Sequence, residues 1–224
     1  MDVTDAVAQL TNDPAGFLAS NALTIVGGST LSSALRIWKL SDSGTIQAAT
    51  SGPGWSGYKT VRHWRAQVTP DTSNRSLFTI QEGTDLKAEF RAYYVGMKQM
   101  GESVQSTHFM LPAVGGPDLM LTSQLTGCTF GVGSQQGGGG CLASHMQPAG
   151  SADGNRAPGA LTELGKRAMR MAVSKPLGPG ATILETTGAT KISVVGKRTQ
   201  GIWAFTKQIR DDATSRITVM ATGM

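Results

Sequence analysis

The chain has 224 residues, a net charge of +5 and a pI near 9.4. Its 39% hydrophobic content excludes a disordered chain, and its 16% charged content excludes a coiled coil. With 29 glycines and 6% aromatics, the composition is that of a globular protein rich in strands and turns, and no run approaches the roughly 18 apolar residues of a membrane span.

In chain order, Asp2–Leu10 suits a short capped helix, and Met1–Asp5 lacks the basic start of a secretory signal. Asn21–Val26 reads as a strand closed by Gly27-Gly28, and Ser29–Leu40 fits helix or strand equally well. Ser51–Gly57 is a turn cluster. Tyr58–Val68 alternates as a strand and Pro70 ends it. Leu86–Met97 is again strand or helix, and Pro112–Pro117 is a loop. Asp118–Thr126 reads as extended, followed by Gly127-Cys128 and Thr129–Val132. Gly133–Gly140 is a glycine-rich connection, Cys141–Met146 resumes an apolar pattern, and Gln147–Gly159 is a polar loop. Ala160–Lys175 carries the clearest helical stripe, through Leu161, Leu164, Ala168, Met171 and Ala172, and Pro176 should stop it. Thr182–Glu185, Lys191–Val195, Ile202–Thr206 and Ser215–Thr222 read as closing strands. The tally predicts a single α+β domain over residues 1–224 with at least one largely antiparallel sheet.

The basic groups Lys166-Arg167-Ala168-Met169-Arg170 and Lys197-Arg198 read as solvated faces rather than a nucleic-acid stripe, so no nucleic-acid partner is expected. The modest positive charge suits an acidic protein surface. Two cysteines make no disulfide framework. Cys128, Cys141 and His145 are fewer than the four ligands usual in a structural zinc site, so no metal is expected. His63, His108 and Cys141 read as packing or surface residues.

A hairpin around the glycine-rich connection, with its turn between Gln136 and Gly137, would set Cys128 directly across from His145 on one face. The same register sets Cys141 against Val132, too far along the strand for a disulfide with Cys128. An imidazole beside a thiol takes its proton and yields a nucleophile. Gly127 removes a side chain from the approach and permits unusual backbone geometry. Thr122, six residues before Cys128, supplies a hydroxyl able to orient the imidazole, and backbone carbonyls are the alternative. Against this stands the plain reading of Cys128 as a small buried hydrophobe.

The string Thr122-Ser-Gln-Leu125-Thr126-Gly127-Cys128, followed by His145, resembles the catalytic centre of the cysteine-dependent protein glutamine deamidases. That group includes the cytotoxic necrotizing factors, Burkholderia lethal factor and the chemoreceptor glutamine deamidases. They share Leu-x-Gly-Cys with a His one strand later, and some have a Thr six residues before the Cys. The likeness is confined to roughly Leu119–Met146. It implies a mixed, largely antiparallel β-sandwich flanked by helices and loops, with the site at one edge. It also implies Cys128 as nucleophile, His145 as acid and base, Thr122 as its orienting partner, and no cofactor. The substrate would be a glutamine in a target protein, for instance a GTPase or a translation factor of a host cell, and the protein a monomeric bacterial toxin or effector that is secreted or injected. The rival expectations are a papain-like cysteine peptidase or amidase, and a non-catalytic structural or binding module.

Overall fold

The computed structural model describes residues 1–27, 31–52, 55–68, 88–134, 140–148, 163–186 and 189–224. Helix α1 (Val3–Asn12) starts where expected, because the Asp2 carboxylate accepts the Asp5 N–H at 2.9 Å. A second helix, α2 (Pro14–Ser20), follows at once. Asp13 closes α1 and caps α2 through the Gly16 N–H, and Pro14 occupies the first turn, where its missing donor costs nothing. Strand β1 (Ala22–Val26) comes next. Of the ambiguous Ser29–Leu40 segment, residues 34–40 are strand, in β2 (Ala34–Gly52), which pairs antiparallel with β3 (Trp55–Val68). Gly52 pairs with Trp55, so of the expected turn cluster Ser51–Gly57 all but residues 53 and 54 is strand. These two lie outside the described residues, as do Pro70, Leu161 and most of the Gly133–Gly140 and Gln147–Gly159 connections.

From Glu89 on, the Leu86–Met97 segment is also strand, split at Gly96 into β4 (Glu89–Val95) and β5 (Met97–Gln99). A single turn, α3 (Val104–Thr107), leads to β6 (His108–Leu111), then β7 (Leu119–Thr122), β8 (Thr129–Val132) and β9 (Cys141–Gln147). The long helix α4 (Glu163–Leu177) precedes β10 (Thr182–Glu185), β11 (Thr190–Thr199), β12 (Ile202–Asp211) and β13 (Ile217–Gly223).

An eight-stranded sheet runs β1-β3-β2-β13-β12-β11-β7-β4. Because β2 also pairs with β4, the strands β2, β13, β12, β11, β7 and β4 close into a ring. Among the described residues, β13 meets β2 at the single pair Ala48↔Ile217. The five-stranded sheet runs β10-β8-β9-β5, and β6 shares the outer edge of β9 with β5. Most pairings are antiparallel; β1–β3, β13–β2, β4–β7 and β5–β9 are parallel.

Three apolar clusters define the layers. One packs α1 and α2 (Ala6, Leu10, Phe17, Leu18) on the large sheet around Trp38, Trp64 and Tyr94. A second lies between the sheets, with Tyr93, Met120 and Phe205 from the large one and Phe130, Val132 and Ala143 from the small one. The third seats α4 on the outer face of the small sheet. The fold is therefore α+β, with two packed sheets between helical layers.

Helix α4 buries a different stripe from the expected one. Met169, Val173 and Leu177 face inward, whereas Leu164 is 78% and Met171 63% exposed. Both stripes satisfy helical spacing, and the small sheet decides between them. Gly131 leaves a gap in β8, and a Cβ there would lie 2.6 Å from Val173 Cγ1 and 2.7 Å from Leu177 Cδ1. Filling that gap by Gly131→Val is expected to cost roughly 1–3 kcal/mol by overpacking, read as a lowered midpoint of denaturant unfolding. Pro176 sits inside the last turn rather than before it, and the helix ends at Gly178, whose φ of 80° places it in the left-handed region.

Lys197 and Arg198 do not form a solvated face. Arg198 is 6% exposed and bonds Asp118 Oδ1 and the carbonyls of Pro112, Gly115 and Gly116, and Lys197 Nζ donates to the Thr11 carbonyl. The Arg198 bonds pin the Pro112–Pro117 loop, because the guanidinium presents several donors in one plane to backbone oxygens. The Lys166–Arg170 group does lie on an outer face, with Lys166 paired to Glu163 and Arg170 to Glu185.

Candidate active site

The site forms where the chain crosses from one sheet to the other. Strand β4 ends in the large sheet at Val95, and β5 begins in the small sheet at Met97. Gly96 makes the crossing. A Cβ on it would stand 2.5 Å from the Leu31 carbonyl oxygen, and its N–H donates to Ser33 Oγ at 2.8 Å, so residues 31–33 leave no room for a side chain. On either side of this crossing, Val95 pairs with Thr122 of β7 and Met97 pairs with His145 of β9. Two residues distant in sequence and in different sheets thus meet inside the intersheet core.

Thr122 Oγ1 lies 2.7 Å from the Val95 carbonyl oxygen and 2.7 Å from His145 Nδ1. A hydroxyl has one proton, and a carbonyl can only accept. The Thr122 proton therefore goes to Val95, and Nδ1 must carry its own proton and donate to Thr122. That fixes the neutral ring as the Nδ1–H tautomer, with its lone pair on Nε2. Nε2 is buried and has no hydrogen-bond partner. The Phe130 ring meets the imidazole edge to face at 6.5 Å between centroids. Burial alone pulls the His145 pKa down to about 3, so the ring is neutral at physiological pH.

Gly127 has a φ of 71°, in the left-handed region where a side chain would be strained, and it turns the chain into Cys128. Cys128 is 2% exposed. Its Sγ lies 3.6 Å from the Thr126 carbonyl oxygen and 3.7 Å from Met97 Sδ. Burial, partly offset by the Thr126 contact, pushes the thiol up to about 11. Both partners are therefore neutral at rest, not an ion pair. Thr186, just past β10, holds the Cys128 backbone: its Oγ1 accepts the Cys128 N–H at 3.0 Å, and its own N–H donates to the Cys128 carbonyl at 3.1 Å.

The direct opposition of Cys128 and His145 needs correction. Phe130, not Cys128, pairs with His145, and Val132 pairs with Ala143 rather than Cys141. The ladder axis lies one residue further along than a turn between Gln136 and Gly137 requires, because a long glycine-rich connection does not fix register. A shift of this kind moves each residue's partner by two places and preserves the face. Cys128, Phe130, Ala143 and Cys141 all belong to the intersheet cluster, so Cys128 is a diagonal neighbour of His145. Cys141 pairs with Leu111 of β6, and both cysteines are free thiols.

His108 and His63 have other partners. His108 bonds Thr107 Oγ1 and the Val173 carbonyl, tying β6 to α4, and His63 bonds Thr24 Oγ1. Among the described residues, no group of three or more His, Cys, Asp or Glu converges as a metal site, and no helix is long and apolar enough to cross a membrane.

The sequence reading missed Val95, Met97 and Thr186. Val95 acts through its carbonyl, which no side-chain motif reveals. Thr186 stands 58 residues from Cys128 with no local pattern to mark it. No protein-family model matches this chain, and no curated protein matches it.

Proposed function

We propose that this protein is a cysteine-dependent glutamine deamidase, with Cys128 as nucleophile, His145 as acid and base, and Thr122 as the residue that orients His145. One observation carries the reading. The Thr122 hydroxyl, committed to the Val95 carbonyl, fixes the imidazole as the Nδ1–H tautomer and leaves a buried, unpartnered base at Nε2 beside the face that holds Cys128. A purely structural histidine satisfies both ring nitrogens, as His108 does.

On this reading, Sγ turns about the Cα–Cβ bond from the Thr126 carbonyl toward Nε2 as a glutamine side chain enters over the half-buried Thr126-Gly127 turn. The thiol proton passes to Nε2 while sulfur bonds to the carboxamide carbon. The imidazolium then gives that proton to the departing nitrogen, ammonia leaves, and a thioester remains. Water adds to the thioester with Nε2 taking its proton, and collapse releases glutamate and the thiol. The neutral resting pair means that proton transfer accompanies attack instead of preceding it. The change replaces a neutral donor with an acceptor-only charge, enough to disable a GTPase whose glutamine positions water. A toxin or effector acting on a GTPase or translation factor in another cell fits that chemistry, and the positive charge of the chain fits an acidic target surface.

The papain-like alternative places its cysteine at the start of a helix, whereas Cys128 leads into strand β8. A non-catalytic binding module has one observation in its favour. A cysteine 2% exposed, with its thiol pushed up to about 11, is in the setting of a packing residue.

Incubating host-cell lysate with the wild-type protein and with Cys128→Ser separates the readings. A deamidase converts one glutamine to glutamate in a discrete target, seen by peptide mass spectrometry with the wild type alone. Cleaved peptides would indicate a peptidase. Identical peptide maps across several lysates would leave the binding module standing.

A further inference from the structure

We propose that Thr186 is a positioning residue whose hydroxyl occupies the place that the substrate carbonyl oxygen takes during attack by Cys128. The inference rests on the deamidase reading and adds a part to its site. In acyl transfer, the backbone N–H of the nucleophile is a natural donor to the developing oxyanion. Here that N–H is engaged, pointing at Thr186 Oγ1 at 3.0 Å. The same hydroxyl lies 3.4 Å from the Cys128 carbonyl oxygen, and the Thr186 N–H donates to that carbonyl at 3.1 Å. One residue, 4% exposed, thus occupies both polar backbone groups of the nucleophile.

The two halves of this clamp differ in kind. The Thr186 N–H bond to the Cys128 carbonyl extends the β10–β8 ladder beyond Glu185↔Thr129 and holds the segment in register. The bond from the Cys128 N–H ends on a neutral side-chain oxygen, which a rotation about the Thr186 Cα–Cβ bond withdraws without touching the ladder. A developing oxyanion is the stronger acceptor, since hydrogen bonds to ionised oxygen are shorter and stronger than neutral ones. Substrate oxygen therefore exchanges for Thr186 Oγ1, with the N–H already aimed. Gly127, at a φ of 71°, sets that aim from the other side. Until that exchange the sulfur rests against the Thr126 carbonyl and Met97 Sδ.

The test uses the full chain, with iodoacetamide as an electrophile that carries a carboxamide oxygen. Thr186→Val removes the hydroxyl and keeps the shape; Thr186→Ser keeps the hydroxyl. Thr186→Val is expected to alkylate at Cys128 roughly tenfold faster than wild type. Hydrogen exchange should quicken at the Cys128 amide alone, with the β8 amides of Thr129–Val132 unchanged, and the pH midpoint of alkylation should fall below its wild-type value. Thr186→Ser should match wild type in all three. If Thr186→Val does not fold, Thr186→Ala takes its place with the same expectations. An unchanged alkylation rate and pH midpoint overturn the proposal. So does faster exchange throughout β8 or an equal effect in Thr186→Ser, either of which reduces Thr186 to a packing role. The readouts need no glutamine substrate, so failure here is distinct from a failure of the lysate experiment, which would sink the deamidase reading itself.

Discussion

Lowering the pH from neutral toward 3 is expected to destabilise this protein by on the order of 4–5 kcal/mol through His145 alone. The imidazole is fully buried, and its pKa falls from the ordinary 6.5 to about 3 because burial penalises the charged ring. In the unfolded chain the same ring titrates near its ordinary value. The folded state thus favours the neutral form. Its stabilising contribution is fully present above about 6.5 and is lost as the pH falls through the window down to about 3. His145→Asn isolates the effect. The asparagine amide can take over the donation from Nδ1 to Thr122 and cannot be protonated in this range. Denaturant unfolding at pH 7, 5 and 4 should give a steeper loss of stability for wild type than for His145→Asn. Parallel curves would show that His145 is not the group responsible.

Thr122→Val should produce the largest loss of activity among variants that keep both Cys128 and His145. Valine matches threonine in shape and lacks the hydroxyl. The Val95 carbonyl and the Nδ1–H are then both buried without partners, at a cost of about 1–3 kcal/mol each. The ring is no longer held to one tautomer, so Nε2 is a free base for only part of the time. On the deamidase proposal, glutamine hydrolysis should fall roughly 10²–10⁴-fold in kcat, the span usual for a general base. Thr122→Ser should restore most of it. Imidazole nitrogen chemical shifts give a second readout, with a single Nδ1–H tautomer in wild type and Thr122→Ser, and a mixture in Thr122→Val. A fully active Thr122→Val would remove Thr122 from the site.

The sequence carried much of this architecture, for identifiable reasons. Strands β1, β8 and β9 stand on apolar runs that end at Gly27, Gly133 and Pro148, whereas β11 runs through Gly196 to Thr199 and β12 runs past Thr206 to Asp211, because the two pair along their whole length. Short elements held by tertiary contacts were not legible. Helix α2 spans seven residues and depends on the Asp13 cap, and β5 and β6 divide one edge of β9 between them with three and four residues each. Position on a helix face was misread where two stripes were equally periodic, since the gap at Gly131 that selects Val173 and Leu177 lies in another element. Arg198 was misread because its partners are backbone carbonyls of the Pro112–Pro117 loop, which carry no sequence signal. At the site, Cys128, His145 and Thr122 were legible as residue types at suggestive spacings. The tautomer, the closed position of the sulfur and the Thr186 clamp follow from atoms that only the folded chain brings together.

The Thr122–His145 bond spans the boundary between two sheets that meet there through apolar contact beside the covalent crossing at Gly96, and apolar contact tolerates sliding. A 2.7 Å hydrogen bond does not. Slippage of one layer past the other by less than the width of an atom would detach the ring from its anchor while leaving the core packed and the molecule folded. The imidazole is therefore an internal alignment gauge, and any ligand, variant or solvent that shears the layers will announce itself first in the nitrogen resonances of this one ring.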